Sequence, residues 1–596
     1  MQFRHFQFAY FSSQLHFMKR QILGALVLLT TFSVSAQTYR ITWGEEIKLK
    51  KGTADLDIVA ADNTGLFFTE TRRKMTGYFV IGATYGNAIK LMKLDKNFGE
   101  VFDKEYKKEL KGLEYHSFQP LENELYIFAS DYEKKSRQFK ILGAKVDKNS
   151  GDLPGDFMEL GSYELESKRD DYEMKVSPVQ NGKAFLMVSN ISGKDRVSLG
   201  ISILDKSLKK KENTVINLSF NPDHYQLQDV QYTKSNKIVL LGKEYEEAQY
   251  GKKKRKRLVF KQYVLGIYNM NGAKEKDVVI NSDDRYVISG KLIETPAGEM
   301  LLAGFYSNAA KKDDLNGFFI NKVDPEKGEM VVSSFKEINA GMLGKSFEDE
   351  NDDDEEIKEN KKQAKKAKDD DDEEEFPNKF IIKSVDINPA DNSIVITSEV
   401  SRYSYYFYTN SNYNATTRTW NRTTTHVHRF TNQDILVINA DKDGNIKWLN
   451  ALPKSQLEEI RTSNNTSGNG IFFGGNDQGS YFATAGGMPF YSSYSSLINN
   501  NKLVIIMNDH TSNNVNPEYG NKVKTVSNFR KRSNVYGVSI DLATGAMTRK
   551  IIASNNEETI LMPRHAFVVK NELFVPSWRQ KVLAKTELKF AKISVK

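Results

Sequence analysis

The chain of 596 residues contains no cysteine. That absence excludes disulfides, thiolate metal centres, cysteine nucleophiles and a lipidated N-terminal cysteine. Tryptophan is sparse, with four residues at 43, 420, 448 and 578. After residue 36 no apolar run approaches the roughly 18–20 residues a spanning helix needs. Signature motifs of catalysis are missing as well. No histidine precedes a glutamate, which removes the helical zinc-protease motif, and there is no Gly-x-Ser-x-Gly elbow. Gly341-Met-Leu-Gly344-Lys345-Ser346 has two residues between its glycines where a phosphate loop has four. Asp441-x-Asp443-x-Asn445 begins like a calcium loop, but Gly444 comes two positions early and Leu452 stands where the bidentate glutamate belongs. His426-x-His428 puts two imidazoles on one side of a strand, as in a metal pair, without a visible third ligand. Carboxylates are too many to nominate a hydrolase pair. The expectation is therefore no catalytic residue, no cofactor and no metal.

What remains is a composition 39% hydrophobic and 27% charged, with 35 phenylalanines and 28 tyrosines, as β-rich proteins tend to have. Met18-Lys19-Arg20, the apolar stretch Ile22–Phe32 and Val34-Ser35-Ala36 read as an export signal cleaved before Gln37, with residues 1–17 an over-long start. The expected location is periplasmic or extracellular. Net charge is +8 over the whole chain, and residues 1–36 carry Arg4, Lys19, Arg20 and no acid. The block Glu348–Glu375 holds 16 acids and 6 lysines, so a basic body carries one acidic appendage.

Eight short apolar runs recur along residues 37–596: Leu66–Phe68, Leu125–Phe128, Ala184–Val188, Ile238–Leu241, Met300–Ala303, Ile394–Thr397, Leu503–Met507 and Leu573–Val575. Runs this short, apolar on both sides and bounded by turn residues, suit buried strands. Most are followed by an alternating strand that closes in a turn of the form Asp-x-x-x-Gly, as at Asp95–Gly99, Asp147–Gly151, Asp324–Gly328 and Asp541–Gly545. In such a turn the carboxylate accepts downstream N–H bonds and glycine supplies positive φ. Four antiparallel strands repeated eight times predict an all-β fold, a β-propeller of eight blades with seven as the alternative. The stretch Leu436-Val-Ile-Asn-Ala-Asp-Lys-Asp-Gly-Asn-Ile-Lys-Trp448 resembles the repeats of quinoprotein-like and secreted bacterial propellers. That resemblance implies fold, not activity, since quinoprotein dehydrogenases carry a tryptophan in nearly every repeat. The last repeat supplies only two strands, and Tyr39–Leu49 reads as the missing outer strand that closes the ring. Residues 37–596 thus form one domain, with a disordered acidic insertion expected at 346–377.

With blade strands labelled a to d, the long insertions all fall in b–c or d–a connections and so on one face. They are Lys252–Arg257, the acidic block, Arg402–Phe430, Thr462–Tyr494 and His510–Asn534. Long loops on a rigid scaffold usually carry function. The basic run Lys252, Lys253, Lys254, Arg255, Lys256 and Arg257 suits an anionic partner or a solvated hairpin tip. Tyr403, Tyr405, Tyr406, Tyr408, Trp420, His426 and His428 form an aromatic segment beside Asn and Thr groups, suited to a protein or glycan partner. The function expected is a binding or scaffold protein of the cell envelope or its exterior. The alternatives are a secreted glycan hydrolase or lyase with channel carboxylates, and an envelope assembly accessory. Nucleic acid is not favoured, and oligomeric state is open.

Overall fold

A computed structural model describes residues 39–596 apart from 49–52, 77–83, 168–169, 180–181, 194–195, 219–221, 251–254, 281–284, 309–314, 339–346, 349–372, 376–378, 415, 417–418, 464–488, 517–521, 556–558 and 580–586. The export signal at 1–36 lies outside the described residues.

Among the described residues the ring is formed by eight antiparallel sheets built in chain order, and a ninth, two-stranded parallel sheet lies among the insertions. Blades 1 to 7 span Thr53–Glu105, Glu114–Glu164, Asp171–Leu218, Tyr225–Ile280, Tyr286–Glu337, Lys379–Leu452 and Tyr494–Ser554. Blade 8 runs from Ile560 to Val595 and takes its outer strand from the other end of the chain. There Tyr39–Trp43 lies antiparallel to Glu587–Val595, with Tyr39 opposite Val595 and Trp43 opposite Ala591. The chain is an eight-bladed propeller closed by its N-terminal strand.

Each apolar run is strand b, which lies between its neighbours on both faces. All eight residues of Met300–Ser307 are buried, which explains the lack of alternation. Outer strands alternate instead, as Lys210–Leu218 does toward its end. The core is divided into eight inter-blade clusters, one per interface. Ala184, Leu186 and Ile201 of blade 3 meet Leu227, Val230 and Leu240 of blade 4. The last cluster joins the ends of the ring: Phe68 and Met92 of blade 1 pack on Leu588 and Phe590 of blade 8. The Phe68 and Phe590 rings lie 4.8 Å apart. Tyr39 and Ile41 pack into the cluster between blades 7 and 8, so the closing strand contributes apolar surface as well as edge pairing.

The Asp turns connect strands c and d. The Asp441 Oδ1 accepts from the backbone N–H groups of Asp443 (2.9 Å) and Asn445 (2.8 Å). Each turn leans on the preceding blade, and strands inside that blade reach out to it. Lys93 of blade 1 donates to the Lys148 carbonyl at 2.8 Å, and Asn439 of blade 6 to the Leu542 carbonyl at 2.6 Å. Glycine supplies positive φ at Gly151, Gly328 and Gly545 as expected. The first turn departs from the pattern, because Phe98 rather than Gly99 takes the left-handed conformation, with φ of 67°.

The b–c segment Arg402–Phe430 is an extension of its blade and not a loop. Strands b and c of blade 6 run through it as Ile394–Asn414 and Thr419–Ala440, paired from base to tip. The ends of the acidic insertion are likewise strands. Phe347–Glu348 pairs in parallel with Val523–Lys524, and Glu373–Glu375 pairs antiparallel with Ser404–Tyr406. Residues 349–372 between them lie outside the described residues.

Candidate interaction face

Because the strand order a-b-c-d holds in every blade, the b–c and d–a connections share one face of the disc. All five insertions belong to those connections. Lys252–Lys254 lie outside the described residues, and Arg255 opens strand c of blade 4 opposite Tyr250. Among the described residues the other four insertions meet around blades 6 and 7.

On blade 6 the extension builds a second tier of sheet above the ring. Its strands are Glu373–Glu375, the outer halves of b and c, and Gln456–Ser463, which pairs with strand c from Asn432 to Thr425. Tyr403, Tyr405 and Phe407 alternate along strand b, so they share one side, while Tyr406 and Tyr408 share the other. On the first side the Tyr403 hydroxyl and the His428 Nδ1 are hydrogen-bonded at 2.8 Å. The Tyr403 ring lies 5.2 Å from Phe430, and Tyr405 lies 5.1 Å from His428. On the second side Tyr406 is buried against Val427 and Tyr408. The Arg429 guanidinium sits 5.3 Å from the Tyr406 ring and forms an ion pair with Glu459 at 2.8 Å. Register sets His426 opposite Phe407 and Trp420 opposite Tyr413. Exposure rises toward the tip, from 8% at Phe430 to 37% at Phe407 and 52% at Tyr413.

The tier is fastened to the ring by a buried polar network invisible to motif searching. Glu399, in strand b just below the tier, accepts from the Lys454 ammonium at 2.6 Å and from the Ser493 hydroxyl at 2.5 Å. Lys383 approaches the same carboxylate at 3.4 Å. Lys383 is the extra residue where innermost strand a shifts register between Ile382 and Ser384. Equivalent shifts occur in blades 1, 2, 4 and 5, and such bulges re-aim a side chain. Burial works against ionised Glu399, but Lys454 and Lys383 hold its pKa down to about 2. Burial, reinforced by the nearby Arg564 charge, brings Lys383 down to about 7. Glu458 accepts three backbone N–H bonds, from Phe490 (2.7 Å), Tyr491 (2.9 Å) and Ser492 (2.8 Å), which ties the second tier to the entry of blade 7. Burial nonetheless pushes Glu458 upward. On blade 7 Arg549 pairs with Asp509 at 2.9 Å, both side chains almost wholly enclosed, and Asn513 binds Asp509 at 2.9 Å. This fixes the base of the His510–Asn534 insertion.

The innermost strands of blades 3, 4 and 5 place Lys175 and Lys291 where both attract the Asp229 carboxylate, although burial outweighs them and raises its pKa. Lys291 also donates to the Lys383 carbonyl at 3.2 Å. Among the described residues no group of three His, Cys, Asp or Glu side chains is placed to hold a metal ion.

No protein-family model matches the chain. No curated protein matches its sequence. Solved structures resemble it at low identity. The propeller domain of the Trilobed protease from Pyrococcus furiosus has a TM-score of 0.30 at 10% identity, covering 64% of this chain and 95% of that one. A protein of unknown function from Dyadobacter fermentans has 0.27 at 7%, covering 72% and 97%. Prolyl oligopeptidase B from Galerina marginata has 0.26 at 11%, covering 58% of this chain, but the match spans only 38% of that enzyme's length. The activities of these proteins are their own.

Proposed function

We propose that the protein is an exported propeller scaffold that engages a macromolecular partner through the face carrying its insertions. Export follows from the N-terminal signal pattern and accords with the resemblance of Leu436–Trp448 to secreted bacterial propeller repeats. One observation carries the binding reading. The blade 6 extension is fastened by fully enclosed charges, Glu399 and Lys454, whose side chains are both 0% exposed. Enclosing an ion pair costs several kcal/mol per ion before attraction repays it. A solvated ornament has no need of such a mounting, whereas a pre-organised contact surface gains affinity from rigidity. Tyr413 is 52% exposed at the tip, and tyrosine is among the residue types that dominate binding energy at interfaces.

The test is capture from envelope extracts by immobilised chain 37–596. The parent is compared with a variant in which residues 403–430 are replaced by a short turn. Capture by the parent and its loss from the variant, with an unchanged melting curve, is expected. Equal capture by both would refute the reading.

A further inference from the structure

Three blades carry a lysine at the same place in strand c, two residues before the Asp of the c–d turn: Lys93, Lys145 and Lys322. In blades 2 and 5 a glutamate directly before the apolar run of strand b supplies the counter-charge. Glu124 lies 2.9 Å from Lys145, and Glu299 lies 3.4 Å from Lys322. Register puts Gly65 at the corresponding place in blade 1. No side chain fits there, because φ is 148° and a Cβ would lie 1.9 Å from the Leu94 carbonyl oxygen. Lys93 is nonetheless more enclosed than Lys322, at 4% exposure against 7%. Among the described residues it makes one hydrogen bond, to the Lys148 carbonyl at 2.8 Å, and no ion pair. An ammonium has three donors. The nearest carboxylates are engaged elsewhere. Asp62 pairs with the Lys148 ammonium and accepts from the Thr64 N–H at 2.7 Å, and Asp147 accepts from the Asn149 N–H at 2.7 Å. The Lys93 and Lys148 ammonium groups both lie over the Phe67 ring, 5.1 and 5.4 Å from its centre. Burial lowers the Lys93 pKa, although the Asp62 and Asp147 charges work against the shift.

Lys93, Lys145 and Lys148 line a cavity of about 540 Å³ between blades 1 and 2, with Asn63, Asn123 and Asn149 on its wall. Cavities of roughly 300–1,000 Å³ are of the size that takes small-molecule ligands. This one opens among the a–b and c–d turns, on the face opposite the insertions. We propose that it binds a small solute through a carboxylate or phosphate group, which gives Lys93 the counter-charge that Glu124 and Glu299 give its counterparts. Such a group would accept charge-assisted hydrogen bonds from a donor already held in place by the Lys148 carbonyl. The asparagine amides would bond the polar remainder of the solute. The proposal goes beyond the reading of the insertion face and does not depend on it.

The test titrates chain 37–596 with glucuronate, glucose 6-phosphate and glucose by calorimetry, with sodium chloride at matched ionic strength as the control. At least one of the two acids is expected to bind and glucose not to, and the acid preferred tells carboxylate from phosphate. Lys93→Met should weaken binding about tenfold or more, as loss of one partner of an enclosed charge pair does. Because Lys93 also holds the neighbouring turn, Asn63→Glu is the second variant. Asn63 is exposed at the rim, so the substitution brings a carboxylate to the cavity without disturbing the core. It should weaken binding by a similar factor and leave the melting temperature unchanged. Binding of glucose as tight as that of the acids, an equal response to sodium chloride, or no binding of either acid overturns the proposal. So does acid binding that Asn63→Glu leaves unaltered.

Discussion

Lys454 and Glu399 meet at 2.6 Å with neither side chain reaching solvent, at the level where blade 6 stops being a propeller blade and becomes a platform. Lys383 shares the carboxylate at 3.4 Å. Glu399→Ala leaves the fully enclosed Lys454 ammonium, and beside it the largely covered Lys383, without their counter-charge. Breaking one partner of a buried pair typically costs about 3–5 kcal/mol, and a loss of that order is expected in denaturant titration. A loss under about 1 kcal/mol would place the pair among surface-like bridges.

Stability should fall in mild acid. His116, hydrogen-bonded to the Ser130 hydroxyl at 2.7 Å, is lowered to about 4 by burial. His565, against the Pro489 carbonyl at 3.0 Å, is likewise lowered to about 4, chiefly by burial. Between pH 4 and 6.5 the unfolded chain binds protons at these sites that the folded chain refuses. The melting temperature should therefore decline as pH drops through that window. His116→Gln should make the decline shallower, and an unaltered slope in that variant would show that the ring is not held neutral.

The closing strand should be required by the whole ring. Removing Gln37–Lys50 strips the outer edge of blade 8 and the Tyr39 and Ile41 contacts with blade 7. A single cooperative transition at lower denaturant is expected. A truncated chain that melts like the parent would mean that the ring does not depend on closure.

The turn glycines predict a graded cost. Gly151 and Gly545 both have positive φ, 78° and 77°. A Cβ at Gly151 would come within 2.7 Å of the Phe102 ring, and one at Gly545 within 3.0 Å of Trp448. Gly112 has φ of 85° and no neighbour within 4 Å of such a Cβ. Alanine at Gly112 should cost only the backbone strain, on the order of 1 kcal/mol. Alanine at Gly151 or Gly545 should cost visibly more, because the neighbouring blade must move. Equal costs at all three positions would remove the packing argument.

The repeat could be read from the chain because its determinants are local. An apolar run such as Leu503–Met507, a turn such as Asp541–Gly545 and the count of such pairs fix blade number without long-range information. The inter-blade role of the same turns was hidden, since nothing in Asp147–Gly151 says that its glycine rests on Phe102, 49 positions before it. The Arg402–Phe430 segment was legible as an insertion but not as sheet. Its Tyr-Asn-Thr alternation is weak in apolar residues, and its strand character comes from pairing with Gln456–Ser463 and Glu373–Glu375, which are distant in sequence. The Glu399 network had no sequence signal at all. One glutamate among 77 acidic residues becomes special only when Lys383, Lys454 and Ser493 converge on it. Of the candidate aromatics, Tyr406 and His428 are packed or bonded within the tier, whereas the exposed Phe407 and Tyr413 were both absent from the sequence-level candidates.

The most direct test of the insertion face is site-specific photo-crosslinking in the native cell. A photoreactive phenylalanine is placed at Tyr413, at the tip of the blade 6 extension, and in a second chain at Asn149, in a c–d turn on the opposite face. Irradiation should give a discrete higher-mass adduct from position 413 and none from position 149. An adduct from 149 with none from 413 would contradict the account, because the partner would then sit on the face that carries only short turns.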